Sequence, residues 1–314
     1  MRDVACHSVS ERRIAQALDG FEDRLGRRWS ELLYTNLSLQ GLQEMREEIL
    51  DHVGAHTLAN PALRSSALLR MSASTLLDSA AECALGALYL TCQPDGDFDI
   101  SLSCYPEADY GSLSSGQIHF RSRHVDRAPT IDAWVDVFAL AVISGMVWDR
   151  DLGIGVQLRE DLAPTLKAGA PDSPMTPQGD PAGWVQMDAL CLYLTPAGGH
   201  RPRDWPSVPL REPQAEERAE AVRRLDTAPG LTPDQRLLRT LLGGDQAGFE
   251  HALADRLVQY RQSVPQDAPP RSLLPVVTIA MAALAVQVHG WELNLRSGYL
   301  PQTLLGSSEW IRAS

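Results

Sequence analysis

His52 and His56 stand four residues apart, the spacing at which two imidazoles on one helix face reach a single zinc ion. A zinc-protease helix carries Glu directly after its first histidine. Here that position is Val53, and no third ligand follows at diagnostic spacing, so the pair reads as a solvated or core-edge pair without metal. Asp95, Asp97 and Asp99 imitate the opening of a calcium loop. The glycine needed at position six is Ile100 and the bidentate glutamate at position twelve is Pro106, which leaves an acidic turn feeding a strand.

Nucleophiles fare no better. A serine elbow needs glycine two residues to either side, and no serine between Gly111 and Gly116 has it, so that stretch reads as a flexible loop. Cys6 with His7, or Cys104 with His119 and His124, could form a thiol–imidazole pair, although a buried inert thiol is the commoner fate of cysteine. Phosphate loops are missing: Gly153-Ile154-Gly155 lacks the third glycine, and Gly198-Gly199 runs into His200-Arg201-Pro202. Lys167, the sole lysine, lies in a Pro- and Gly-rich stretch, a poor place to desolvate an ammonium for Schiff-base work. Arg12, Arg13, Arg24, Arg27 and Arg28 could hold an anion. Glu11, Glu22, Asp23 and Glu31 are interleaved with them, so helix-surface ion pairs are the simpler account. No catalytic residue, cofactor or metal is assigned.

The elements that would position these residues are mostly helical. Residues 8–25 show helical spacing through Ile14, Ala17 or Leu18, Phe21 and Leu25, and a second helix follows with Leu42, Met45, Ile49 and Val53 on one face and Glu44, Glu47, Glu48 and Asp51 on the others. Pro61 to Leu90 reads as one long helix or two joined ones. The period then drops to two, with Phe98, Ile100 and Leu102 alternating with Asp99, Ser101 and Ser103, and Ile118 and Phe120 flanking His119. This predicts a small β-hairpin over residues 98–121 with a long exposed connection from Pro106 to Gly116. Helical periodicity resumes at Thr130.

Ten of the 21 prolines fall between Pro164 and Pro213, which excludes long regular elements there except a helix near Trp184 to Leu194. From Gln214 onward four or five helices are expected. The fold class is therefore mainly α, a multi-helix bundle or helical-pair array with one small hairpin. The divisions are residues 1–163, a Pro-rich connection at 164–213, and 214–314, within one continuous globular unit.

Charge and composition narrow the partners. With 28 Lys and Arg against 40 Asp and Glu, the net charge of −12 disfavours phosphate-backbone binding and suits a basic protein partner. The polar first ten residues do not read as a secretory signal, and the apolar run from Leu273 to Val286 is shorter than a membrane span, so a cytoplasmic protein without membrane contact is expected. Five cysteines at irregular gaps fit reduced thiols.

Residues 245–305 are the most distinctive stretch. Phe249, Ala252, Leu253, Arg256, Leu257 and Tyr260 form one helical stripe, Leu273 to His289 an all-round apolar helix stopped by Gly290, and Trp291, Leu293 and Leu295 alternate with polar residues up to Ser297-Gly298-Tyr299-Leu300-Pro301. Tyr299 and Leu300 are expected to anchor the chain's return to the core, and Pro301 to open a final helical turn, Gln302 to Leu305. The order resembles the immunity protein 49 family of bacterial polymorphic-toxin systems, which also shares an aromatic helix like that around Trp134 to Trp148. The resemblance implies a protein that binds and neutralises a cognate toxin, with no catalytic role attached to Ser297 or Tyr299. A basic toxin would meet the acidic helix at Glu44, Glu47, Glu48 and Asp51, or the loop Asp95, Asp97 and Asp99. The alternatives are an enzyme on the same scaffold, its pocket lined by His289, Trp291, Glu292, Ser297 and Tyr299, and a helical adaptor with a long concave groove.

Overall fold

A computed structural model describes residues 2–34, 39–59, 73–93, 97–106, 113–121, 128–169 and 176–306. The chain starts with a short strand β1 (Arg2–Val4) and enters two helices where one was expected. Helix α1 (Glu11–Leu18) is capped by the Ser10 hydroxyl, which accepts from the Arg13 amide. It stops at Asp19-Gly20, where Gly20 turns the chain at a φ of +58°, and α2 (Phe21–Tyr34) departs in a new direction. The apolar spacing of Leu18, Phe21 and Leu25 runs across that break, so periodicity alone does not reveal it.

Helix α3 (Leu39–Val53) buries the predicted face of Leu42, Met45, Ile49 and Val53. It continues into a π-helical stretch, Gly54–Ala59, and Gly54 lets the chain pass another backbone closely: a Cβ there would lie 2.2 Å from the Pro270 carbonyl oxygen. Helix α4 (Ala73–Cys92) accounts for the later part of the expected 61–90 helix, whose start lies outside the described residues.

The hairpin is present. Strands β2 (Asp97–Pro106) and β3 (Leu113–Arg121) pair antiparallel, with Phe98 opposite Phe120 and Ile100 opposite Ile118, and a register shift between Leu102 and Tyr105. β3 begins at Leu113, so Ser114 and Ser115, expected in a loop, belong to a strand, while Ser112 lies outside the described residues; a turn-rich composition hid the pairing. Helix α5 (Ile131–Ser144) starts at the Thr130 cap and ends at Gly145, and Trp134 and Phe138 are wholly buried in it.

Beyond α5 the chain is more regular than its prolines suggested. Helix α6 (Ile154–Val156) runs through a π-helical stretch, Gln157–Leu162, into α7 (Ala163–Ala168), and α8 (Pro181–Cys191) carries the expected apolar run. Pro181 sits in the first turn of α8, where the missing amide hydrogen costs nothing, while Pro164 lies just after the π-helical stretch inside a continuous helical run. The two ends of residues 192–213 lie against the core: Leu194 bridges to Leu210, and Tyr193, Leu194 and Leu210 have no exposed surface.

Five α-helices follow among the described residues: α9 (Ala215–Thr227), α10 (Pro233–Leu242), α11 (Gln246–Ser263), α12 (Val276–Gln287) and α13 (Gln302–Leu305). Phe249, Leu253 and Leu257 of α11 are buried as the stripe predicted, while Arg256 forks onto Asp234 at 2.8 Å through both Nε and Nη2. α12 packs against α5, α10 and α11. The 18 residues Pro270–Gln287 are apolar enough to cross a membrane by composition, yet 72% of them are buried inside this fold and a 3-10 turn, Pro270–Leu273, interrupts the run. After Gly290 the chain extends into β4 (Leu295–Ser297), which pairs in parallel with β1, and Pro301 opens α13 as expected. The architecture is mainly α. One apolar cluster joins Leu25, Leu88, Phe138, Leu194, Leu241 and Leu284.

Candidate functional site

The acidic face of α3 is already engaged by arginines. Arg28 Nη1 lies 2.5 Å from Glu44 Oε2, and Arg24 Nε lies 2.5 Å from Glu48 Oε1. Arg271, from the 3-10 turn before α12, contacts Glu47 at 2.8 Å and Asp51 at 2.6 Å, and its backbone amide also donates to Asp51 at 2.8 Å. The arginine-rich start of the chain thus pairs across helices, α2 to α3, in preference to within one helix. Arg12 and Arg13 both reach Asp267, Arg13 at 2.7 Å. These carboxylates form a mixed-charge surface, not a bare anionic one. In the hairpin, Asp97 stands opposite Arg121 and Asp99 opposite His119 in register, and Asp95 lies outside the described residues.

The residues expected to line one pocket divide between two networks. Tyr299 has no exposed surface, and its oxygen accepts from the His7 amide at 3.0 Å and lies 2.7 Å from His7 Nδ1. His7 Nε2 is 2.8 Å from Ser272 Oγ, which donates to the Pro269 carbonyl at 2.6 Å. Counting hydrogens assigns this network. The Tyr299 O–H needs an acceptor, so His7 Nδ1 is bare, Nε2 carries the hydrogen and donates to Ser272, and the Ser272 hydrogen is left for Pro269. Ser272 therefore points its proton away from the imidazole, the reverse of a serine nucleophile facing its base. Tyr260 donates to the Ser272 carbonyl at 2.8 Å and meets Tyr299 edge-on. Burial raises the Tyr299 pKa, against the opposing pull of the His7 amide.

The second network centres on His289. Its Nε2 lies 3.0 Å from the hydroxyl of fully buried Tyr193, its Nδ1 lies 3.4 Å from Glu212, and its ring packs on Trp291, which in turn packs on Phe249. Burial lowers the His289 pKa more than Glu212 raises it. Glu292 is exposed and its backbone carbonyl accepts from Gln246, while Ser297 Oγ accepts from the Tyr299 amide at 3.2 Å. Tyr299, His289 and Ser297 thus each have a structural partner, and Tyr299 and His289 belong to separate networks. A cavity of about 170 Å³ lies elsewhere, between α3, α4 and the start of α5, lined among others by Gln43, Arg46, Thr91 and Thr130.

His52 and His56 form a core-edge pair. The His52 ring stacks on Phe21 at 3.7 Å, its Nδ1 faces the Ala17 carbonyl, and the His56 ring is 4.6 Å away. Desolvation, with His56 adding repulsion, takes the His52 pKa down to about 4. Among the described residues no group of three or more His, Cys, Asp or Glu is placed to hold a metal ion. Burial pushes the Cys92 and Cys191 thiols up to about 12, which keeps them protonated and inert. Cys104, His119 and His124 lie where side chains are outside the description.

His7, Ser272, Tyr193 and Glu212 are the site residues that sequence reasoning missed. The Cys6-His7 pair is visible in sequence, but as thiol chemistry; only a partner nearly three hundred residues away explains the imidazole. Compared with known families, the chain matches the model of Immunity protein 49 over residues 66–304. No curated protein matches it, and no solved structure does.

Proposed function

The chain belongs to the Immunity protein 49 family, and from that premise we propose that it binds a bacterial toxin in the cytoplasm and neutralises it by protein–protein contact. The observation that carries this reading is the match over residues 66–304, which spans the hairpin, α5 and the whole C-terminal signature. Two further features support it. Tyr299, His289 and Ser297 are committed to holding the fold, which fits a scaffold better than a reaction centre. The net charge of −12 suits a basic toxin and would speed its encounter at low salt.

Steering is assigned to the acidic run Asp95, Asp97 and Asp99 in preference to α3, whose four carboxylates already face arginines. Charge reversal at these three aspartates should slow association with the toxin. Equal association rates for the two proteins at low salt would remove the hairpin from the interface.

A further inference from the structure

Residues 2–10 lie across the C-terminal unit as a strap. β1 pairs with β4, with Val4 opposite Ser297, and Arg2 contacts Asp255 at 2.8 Å. Cys6 fills the space beside Gly298, where a Cβ would lie 2.7 Å from its Sγ. His7 then inserts between Tyr299 and Ser272. Only the bare Nδ1 can take up a further proton. Doing so turns the acceptor of the Tyr299 hydroxyl into a donor and leaves that buried O–H with nothing to bind.

We infer that His7 is a proton-operated latch: as a neutral imidazole it fastens residues 2–7 to the Tyr299 signature, and protonation at Nδ1 releases the strap from β4. The groups around it favour the neutral ring. Tyr260 and Arg261 approach from α11, and Ser272 from the 3-10 turn, beside Arg271 with its partners Asp51 and Glu47. Arg13 of α1 is paired with Asp267, Tyr299 follows β4, and Cys6 belongs to the strap itself. Burial and then Arg261 hold the His7 pKa below its ordinary value. A lowered value in the closed state means that the latch is fully effective above the ordinary histidine value of about 6.5 and weakens as pH falls toward the lowered one. Over that window the closed-to-open ratio drops by up to about tenfold per pH unit.

Nitrogen-15 NMR of the full chain, titrated from about pH 7.5 to about pH 5, reads both ends of the latch. The expected result is a bare Nδ1 and a protonated Nε2 on His7 at the upper end, with the Val4 and Ser297 amides moving to a released position as the ring titrates. An Nδ1–H tautomer at the upper end, or amides that stay fixed while His7 gains its proton, would overturn the latch. His7→Gln cannot gain a proton, so its strap should show no pH dependence, docked or free; a pH response like that of the unaltered chain would assign the effect to another histidine. Tyr299→Phe removes the donor that demands a bare Nδ1 and should flatten the response, whereas an unchanged response would contradict the proton assignment.

Discussion

The α3 surface and the Tyr299 network are both rich in polar contacts, but they hold the molecule in different ways. On α3, Glu44, Glu47, Glu48 and Asp51 share the guanidinium groups of Arg24, Arg28 and Arg271, and the side chains stay partly hydrated. Any one pair exchanges easily for water, so each contributes little. Around Tyr299 every hydrogen has one place to go, and the phenol is sealed from solvent. Removing one member there leaves a buried group without a partner, and the cost is that of desolvation. Counting polar contacts would rank the α3 face first; counting orphans created by their loss ranks the signature first.

Tyr299→Ala should sharpen that contrast most, combining a cavity with the loss of two hydrogen bonds; a destabilisation of about 3–5 kcal/mol by urea unfolding is expected. Acid should act on the inner side of α3 next. His52 is held neutral with a pKa of about 4, well below its unfolded value, so its contribution is complete above about pH 6.5 and is lost as pH falls toward 4. Unfolding measured across that range should show a loss on the order of 3 kcal/mol, much reduced in His52→Phe. Tyr299→Phe keeps the packing but strands the His7 amide and removes the donor to Nδ1, for about 1–3 kcal/mol. Arg28→Ala, on the exposed network, should cost under about 1 kcal/mol and less still at high salt. If Arg28→Ala proved as costly as Tyr299→Phe, the distinction between the two regions would fail.

The sequence made visible those features whose cause is local. Thr130 before an apolar run announced α5, Phe249, Leu253 and Leu257 marked the buried stripe of α11, and Pro301 opened α13 where expected. The alternation at Phe98 to Leu102 was enough to place the hairpin. What stayed hidden depends on distant partners. β1 is three residues long and becomes a strand only beside β4, so it has no periodicity to detect. The prolines of 164–213 argued against helix, yet Pro181 sits in a first turn where proline is tolerated and Pro164 follows a π-helical stretch. The α3 acids looked bare because their arginines come from α2 and from the turn before α12. Tyr299 was marked as an anchor, while His7, which occupies it, carried no signal of that role.

The most direct test of the account is co-expression of this protein with its cognate toxin, identified by affinity capture from the native host, in a strain the toxin kills. The account predicts a stable complex and rescued growth, retained in Arg28→Ala. A toxin that binds the protein without growth being rescued, or the capture of no toxin at all, would contradict neutralisation by contact.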